Sequence, residues 1–467
     1  MKSLSQLSGP PATSILGHVS AFKQTDIHLQ MLEWIKQYGD IFRLRLGVKP
    51  VMIVAEPKLI KALLRSRPEQ FRRIKSVESV FDEAGLNGIF SAEGEKWKTH
   101  RKLTEPSFQP SHLKHFFPLL QVITKRLENR FEHLAASGQE FDLLDEFKRY
   151  SVDVTTWLAF GEDFNSLENS SSRLEACLKT VFPTMNKRIT SPLPIWRFFP
   201  SKADKAFDAS LEEVKTLVKG FIGNQKKKIA DNPELAVKPE NMLQVMLTVQ
   251  QGDPSLSDED IIANAVTFLL AGEDTTANTL TWMAFLLSND EEAEERLNQE
   301  LLESNDNGVL GWPLPRLPFL NAITYEAMRL KPVTPLLYLE PTQDTQVGDY
   351  SVDKGTPIFL ILHANGFNPD LFSDPGSFSP DRWLDKEQAS FSSLQPFGGG
   401  ARLCPGRMLA MMEIKLAFSA LFRDFSLQPM QASSEVKEQF AFTMSPHGFR
   451  CKIHKRSKLE SMRSAVN

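Results

Sequence analysis

A mainly α-helical unit with a minor β part is the architecture the sequence predicts, on three observations. Helical periodicity, amphipathic or wholly apolar, fills most of the text from Trp97 to Ser288. Strand-like alternation is confined to short pieces, at Ile41 to Leu46, Val51 to Val54, Gly348 to Val352 and Pro357 to Leu362. No period of 20–50 residues recurs and no linker divides the 467 residues, so solenoids and propellers are excluded and 1–467 reads as a single domain.

Each element has a local reason. After the Pro10-Pro11 opening, Asp26 to Tyr38 carries a helical stripe, and the pieces on either side of Gly47 read as a β-hairpin. Pro57 suits the first turn of a helix running to Leu64, because proline needs no hydrogen-bond acceptor there. The helical text from Trp97 to Asn241 is broken by polar and proline clusters at Asn169 to Ser172 and Ser191 to Pro194. Ser257 with Asp260 three residues on forms a capping box, which starts a long apolar helix at about Asp258. Residues 1–8 and the basic stretch 451–467 lack periodicity and are expected to be flexible ends.

Composition narrows the function classes. The chain has 41% apolar and 24% charged residues, and 33 Phe against 5 Tyr point to a large dry interior. Its 54 basic and 58 acidic residues are interspersed, and a net charge of −4 offers no field for nucleic acid. Cys177, Cys404 and Cys451 form neither a C-x-x-C pair nor a disulfide framework, which favours a reducing, cytoplasmic setting. Met1 to Gly17 lacks the apolar core of a signal peptide or membrane anchor. The apolar run Ile261 to Ser288 would bury Glu273 and Asp274 in lipid, so it reads as a core helix and the protein as soluble.

Chemistry concentrates at Phe397-Gly-Gly-Gly-Ala-Arg-Leu-Cys-Pro-Gly-Arg407, where a glycine-rich run delivers one cysteine to the start of the helix Met408 to Leu421. Glycine permits positive φ and close approach of a flat ligand, and a helix N-terminus favours a thiolate. Pro405 withholds one amide hydrogen from that sulfur. Within the apolar helix, Ala271-Gly-Glu-Asp-Thr-Thr276 places acids and hydroxyls where neither propensity nor capping explains them. Glu326 and Arg329, three apart, share a helical face, as do Trp97 and Arg101, four apart.

Phe397, Gly400, Arg402, Cys404 and Gly406 reproduce F-x-x-G-x-R-x-C-x-G, and on these positions the chain resembles the cytochrome P-450 family of haem-thiolate monooxygenases, in the form of a soluble bacterial-type member without a fused reductase. The resemblance covers Gly9 to Phe449 and implies a large helical bundle around haem b (iron protoporphyrin IX), with small β-sheets. It implies that Cys404 ligates the iron and that Arg402 pairs with a propionate, a carboxylate that Trp97, His100 and Arg101 would also approach. Thiolate ligation favours O–O cleavage over oxygen storage. Thr275 would stand beside the oxygen site, Asp274 would relay protons, and Gly272 would leave room for the ligand. Glu326, Arg329 and Arg382, which lies 22 residues before the cysteine, would form a structural cluster.

By family position the substrate pocket takes Phe81, Phe90, Phe268 and Ala271 from the first two-thirds of the chain. Pro335, Leu336, Leu337, Phe442 and Met444 complete it, so a hydrophobic substrate such as a fatty acid, terpenoid or steroid is expected. Nothing after the cysteine is long enough to bind flavin, so electrons should come from a separate ferredoxin or flavodoxin-type donor, docking at Lys98, Lys102, Arg407 and Lys415. Two positions depart from the family pattern: Leu339, where many members carry an arginine near a propionate, and Gly366-Phe-Asn-Pro369, which lacks an Arg-Asp pair before the proline. Two other readings stay open, a peroxygenase or hydroperoxide isomerase on the same scaffold and a non-enzymatic haem sensor.

Overall fold

The computed structural model describes residues 2–12, 14–169, 173–191, 194–304, 309–384 and 394–456. Among these, helices form the bulk and four small sheets lie beside them. At the centre runs the 30-residue helix Asp258–Leu287. The expected capping box starts it: Ser257 Oγ accepts from Asp260 N at 3.1 Å and Asp260 Oδ2 accepts from Ser257 N at 2.9 Å. Asp258, Glu259 and Asp260 in its first turn favour the positive end of the helix dipole.

Helix Leu143–Phe160 lies along this central helix. Glycine sets how closely: a Cβ on Gly272 would stand 2.4 Å from Thr155 Oγ1, so no larger residue fits without parting the helices. Behind them, Pro110–Ser137 packs on Arg407–Phe422, and Phe117, Phe131, Phe147, Phe418 and Phe422 fill one continuous apolar core. That core holds most of the phenylalanine that composition assigned to a dry interior.

The largest sheet has five strands in the order Ile41–Leu46, Lys49–Val54, Ile358–Ile361, Leu336–Pro341, Phe71–Arg73. The expected hairpin pairs Ile41 with Val54 and begins its second strand two residues early, at Lys49. Strand Ile358–Ile361 joins it in parallel, so residues some 300 positions apart are neighbours.

Both ends are more ordered than expected. Lys2–Ser3 pairs in parallel with Tyr350–Ser351, and Leu7 is buried in the cluster under the large sheet. Arg450–Lys455 is a strand between Phe425–Pro429 and Phe141–Asp142, with Cys451 and Ile453 buried. The basic residues Arg450, Lys452 and His454 alternate with those two apolar ones, a two-residue period that the overall charge of the stretch obscures. Residues 457–467 lie outside the described residues, as do 170–172 and 192–193 of the two predicted breaks.

Candidate active site

A cavity of about 400 Å³ lies between the central helix and the start of Arg407–Phe422. Its floor is the cysteine loop. Cys404 N donates to Phe397 O at 3.0 Å, closing the turn, and Gly398 and Gly400 take φ of +75° and +64°. A Cβ on Gly400 would stand 2.5 Å from Leu64 O, so this glycine lets the loop press on helix Pro57–Arg65; it packs outside the cavity rather than beneath a ligand. The amides of Gly406 and Arg407 point at Cys404 Sγ. The sulfur is accessible, but to the cavity rather than to bulk water. Burial therefore pushes its thiol up, against those two amides and the charges of Arg101 and Arg407. Such a sulfur is held as an anion most readily by a metal, since metal binding expels the proton.

One wall is cationic, and the sequence reading found only part of it. Arg67, Arg73 and Arg402 gather around Glu93 at the cavity edge. Arg402 Nη2 lies 2.6 Å from Glu93 Oε2, Arg67 Nη2 lies 3.5 Å from Oε1, and Arg73 N donates to Oε1 at 3.1 Å. The Arg402 guanidinium sits 4.4 Å above the Trp97 ring, and Arg73 sits 4.0 Å above Phe90. Two guanidiniums share one carboxylate out of bulk water, and the third, of Arg73, donates from Nε to Phe90 O at 2.8 Å. Burial, partly offset by Glu93 and reinforced by Arg67, lowers Arg402 to about 10; Arg73 is lowered further by burial and by both neighbouring arginines. Arg67 Nε and Arg402 Nε have no hydrogen-bond partner among the described residues. A buried excess of positive charge with idle donors is costly unless a ligand brings anionic groups. Arg67 and Arg73 escape sequence reading because no motif flanks them.

The opposite wall belongs to the central helix. Phe268, Ala271, Gly272 and Thr275 border the cavity, and Thr275 Oγ1 donates to Ala271 O at 2.8 Å. Asp274 does not border it; its carboxylate pairs with Lys148 of Leu143–Phe160 at 2.9 Å. Burial depresses the Lys148 ammonium, but Asp274 and Glu273 outweigh it and leave it raised. Overhead, Phe81, Phe90 and Phe442 form an aromatic group with centroids 5.4–6.5 Å apart, joined by Leu336 and Leu337.

Beneath the floor, Glu326 accepts from five donors: Arg329 Nε and Nη2 at 2.8 and 2.7 Å, Arg382 Nε at 3.1 Å, Trp383 Nε1 at 2.8 Å and Ser379 N at 2.8 Å. Arg329 also donates to the carbonyls of Gly366, Pro375 and Ser377. A Cβ on Gly366 would lie 2.3 Å from Arg329 O, so glycine is required there, while Phe367-Asn368 in place of an Arg-Asp pair has no structural explanation.

Several expected positions need correction. His100 is fully buried away from the cavity, with Nδ1 hydrogen-bonded to Asn264 at 2.7 Å and Nε2 3.8 Å from Asp260. Arg101 borders the cavity, but its Nη1 donates to Leu403 O at 3.2 Å, beside the sulfur rather than in the arginine group. Pro335 and Met444 are buried behind the cavity wall; Met444 O accepts from Trp282 Nε1 at 3.2 Å. Leu339 faces the cluster under the large sheet, whereas Tyr338 next to it borders the cavity. Gly272 spaces two helices as well as bordering the cavity. Lys415 is half-buried rather than presented on the surface, whereas Lys98 and Lys102 are exposed and pair with Glu95 and Asp253.

A soft sulfur ligand, idle guanidinium donors at the edge and apolar walls fit a flat iron-containing ring that carries two carboxylates, and so define a haem-thiolate protein. The chain belongs to the cytochrome P450 family, whose model it matches over residues 7–453. It is similar to the cytochrome P450 3A29 of Sus scrofa, 27% identical over 450 residues that cover 91% of this chain and 86% of that protein. It is also similar to the cyclooctat-9-en-7-ol 5-monooxygenase of Streptomyces melanosporofaciens, 25% identical with 91% and 90% covered, and to the chloroplastic protein LUTEIN DEFICIENT 5 of Arabidopsis thaliana, 26% identical with 96% and 78% covered. The protein is a cytochrome P450 monooxygenase. Among the described residues, no helix is long and apolar enough to cross a membrane.

Proposed function

We propose that this monooxygenase inserts one oxygen atom from O2 into a hydrophobic substrate of fatty acid, terpenoid or steroid type, with electrons from a separate ferredoxin or flavodoxin-type donor. The observation that carries the substrate class is the apolar lining: Phe81, Phe90, Phe442, Phe268 and Leu337 border the same cavity as Cys404. Ligand pockets gain most of their affinity from such surface, and a few polar groups fix orientation. The relative named as a monooxygenase of cyclooctat-9-en-7-ol is consistent with a largely hydrocarbon substrate.

Bound haem b supplies the redox chemistry that activates dioxygen. The chain's own groups divide the remaining work. Cys404 is the iron ligand, placed by the Phe397 carbonyl and by the amides of Gly406 and Arg407. Arg67, Arg73, Arg402 and Trp97 hold the propionate edge. Thr275, which borders the cavity, hands protons inward once its bond to Ala271 O is released. Asp274 feeds it from the far side of the helix, where Lys148 fixes the carboxylate. Glu326, Arg329 and Arg382 hold the segment that leads to the cysteine loop.

The test is a ligand screen on the haem-loaded protein, with the shift of the haem absorption band as readout. Fatty acids, terpenoids or steroids are expected to shift it at micromolar concentration. Productive binding of small charged molecules alone would overturn the substrate class. Turnover reconstituted with ferredoxin or flavodoxin should slow as salt rises, and turnover with peroxide alone would overturn the donor assignment.

A further inference from the structure

His28, His363 and Glu438 come together outside the cavity from three separate segments. His28 lies in the first turn of helix Ile27–Tyr38, His363 in the short helix Leu362–Gly366 that follows strand Ile358–Ile361, and Glu438 on strand Lys437–Phe440. One ligating atom from each lies within 4.8 Å of the others. Both imidazoles are buried, at 0% and 1% exposure, and their rings stand 5.8 Å apart.

One hydrogen bond fixes a lone pair. His363 Nε2 lies 3.0 Å from Leu330 O, and a carbonyl only accepts, so the proton sits on Nε2 and Nδ1 carries the lone pair. His28 Nε2 lies 2.7 Å from Glu438 Oε2, so one ion can take both of these atoms when the His28 proton rests on Nδ1. Neither Nδ1 has a hydrogen-bond partner among the described residues. A buried acceptor without a donor, as at His363 Nδ1, is expensive, and the fold alone gives no reason for it. An imidazole whose far nitrogen is bonded to a carbonyl, as in His363, is the arrangement that orients metal-ligating histidines.

We infer that His28, His363 and Glu438 bind a divalent transition-metal ion of the zinc class, which ties strand Lys437–Phe440 to helix Ile27–Tyr38 and to the Leu362–Gly366 turn. Two imidazoles and a carboxylate suit zinc, with water in the fourth place, and ligand distances of about 2.0–2.2 Å require the three side chains to draw together by about an ångström. Strand Lys437–Phe440 pairs with Met444–His447, and the tip between them, Ala441 to Thr443, borders the substrate cavity. The ion would thus anchor a wall of the pocket from behind. Lys331, whose ammonium contacts the other oxygen of Glu438 and lies 5.2 Å from the Trp282 ring, is the competing cation and the fourth charged or titratable group facing the cluster.

The experiment uses full-length haem-loaded protein freed of other metals by a chelator and titrated with zinc chloride at pH 7.5 by calorimetry. One equivalent should bind, at least tenfold more tightly than to His28→Gln or His363→Gln, and Lys331→Met should tighten it several-fold by removing the competitor. The zinc absorption edge should report nitrogen and oxygen neighbours only, and zinc should raise the unfolding temperature of the wild type but not of the histidine variants. An unchanged haem band certifies that each variant is folded. No uptake by the wild type would overturn the assignment. Undiminished uptake by both histidine variants would overturn it too, as would failure of Lys331→Met to tighten binding should the histidine variants not fold. None of these outcomes bears on the oxygen chemistry, which is read separately by the substrate screen.

Discussion

Replacing Glu326 with Ala is expected to abolish haem retention before it affects any catalytic step. The carboxylate accepts five hydrogen bonds, three of them from the guanidiniums of Arg329 and Arg382, which are 1% and 7% exposed. Arg329 keeps three carbonyl acceptors and Arg382 keeps Ser373 O at 2.9 Å, but neither keeps a counter-charge in this cluster. Removing one partner of a buried ion pair costs about 3–5 kcal/mol, and the stranded Trp383 and Ser379 N–H groups add about 1 kcal/mol or more each. The total is comparable with the ~5–15 kcal/mol that holds a typical domain folded. Glu326→Gln keeps the acceptor oxygen but aims an amide N–H2 at the donors, so it should fall between wild type and Ala. Two measurements decide the matter: the urea midpoint, and the ratio of haem absorbance to protein after gel filtration. A Glu326→Ala protein with both values at the wild-type level would refute the reasoning, because the cluster would then carry no structural load.

Three further expectations concern single groups. Thr275→Ala removes the hydroxyl that borders the cavity, and product formed per NADPH consumed should fall about tenfold or more while peroxide rises; unchanged coupling removes Thr275 from the proton path. Lys148→Met takes away the ammonium 2.9 Å from Asp274 and with it the anchor of the carboxylate, so kcat should fall several-fold while substrate affinity holds, whereas unchanged turnover separates the two residues functionally. Glu413 is fully buried beside the cavity and burial raises it to about 8, so its neutral form is the stable one in the fold. The sign follows: the protein is favoured below the ordinary carboxylate value of 4.5 and loses stability as pH rises toward 8. Glu413→Gln should therefore flatten stability between those limits and gain on the order of 4 kcal/mol at most at pH 8, and an equally steep urea-midpoint profile in the variant would count against it.

Legibility followed the range of the interactions. The central helix could be read because its capping box, its apolar run and its misplaced polar residues all lie within 30 consecutive positions. The cysteine loop could be read because its glycines, its thiol and its helix start are contiguous. The arginine group could not, since Arg67, Arg73, Glu93 and Arg402 meet only after residues over 300 apart are brought together. Chain-end strands failed for a similar reason: Lys2–Ser3 is a strand only because Tyr350–Ser351 lies alongside it. His100 misled because its neighbour in sequence, Arg101, does reach the cysteine loop, while one residue of helical rotation turns the imidazole toward Asn264 instead.

The two sides of the cavity are held by different forces, and this decides what can change without loss of the chemistry. Floor and edge rest on directional contacts: five bonds to Glu326, a carbonyl closing the Cys404 turn, and glycines whose Cβ would meet backbone atoms at 2.3–2.5 Å. Such contacts tolerate little displacement, because a buried donor that loses its acceptor is left to bear the full desolvation cost. The roof at Phe81, Phe90, Leu337 and Phe442 is built instead from apolar side chains, the three phenylalanine rings packed on one another. Volume-conserving exchanges among such residues usually cost less than about 1.5 kcal/mol, so the roof can be reshaped while the sulfur stays fixed. Volume-conserving exchanges at Phe81, Phe90 or Phe442 should therefore change which ligands shift the haem band while the haem content stays at the wild-type level.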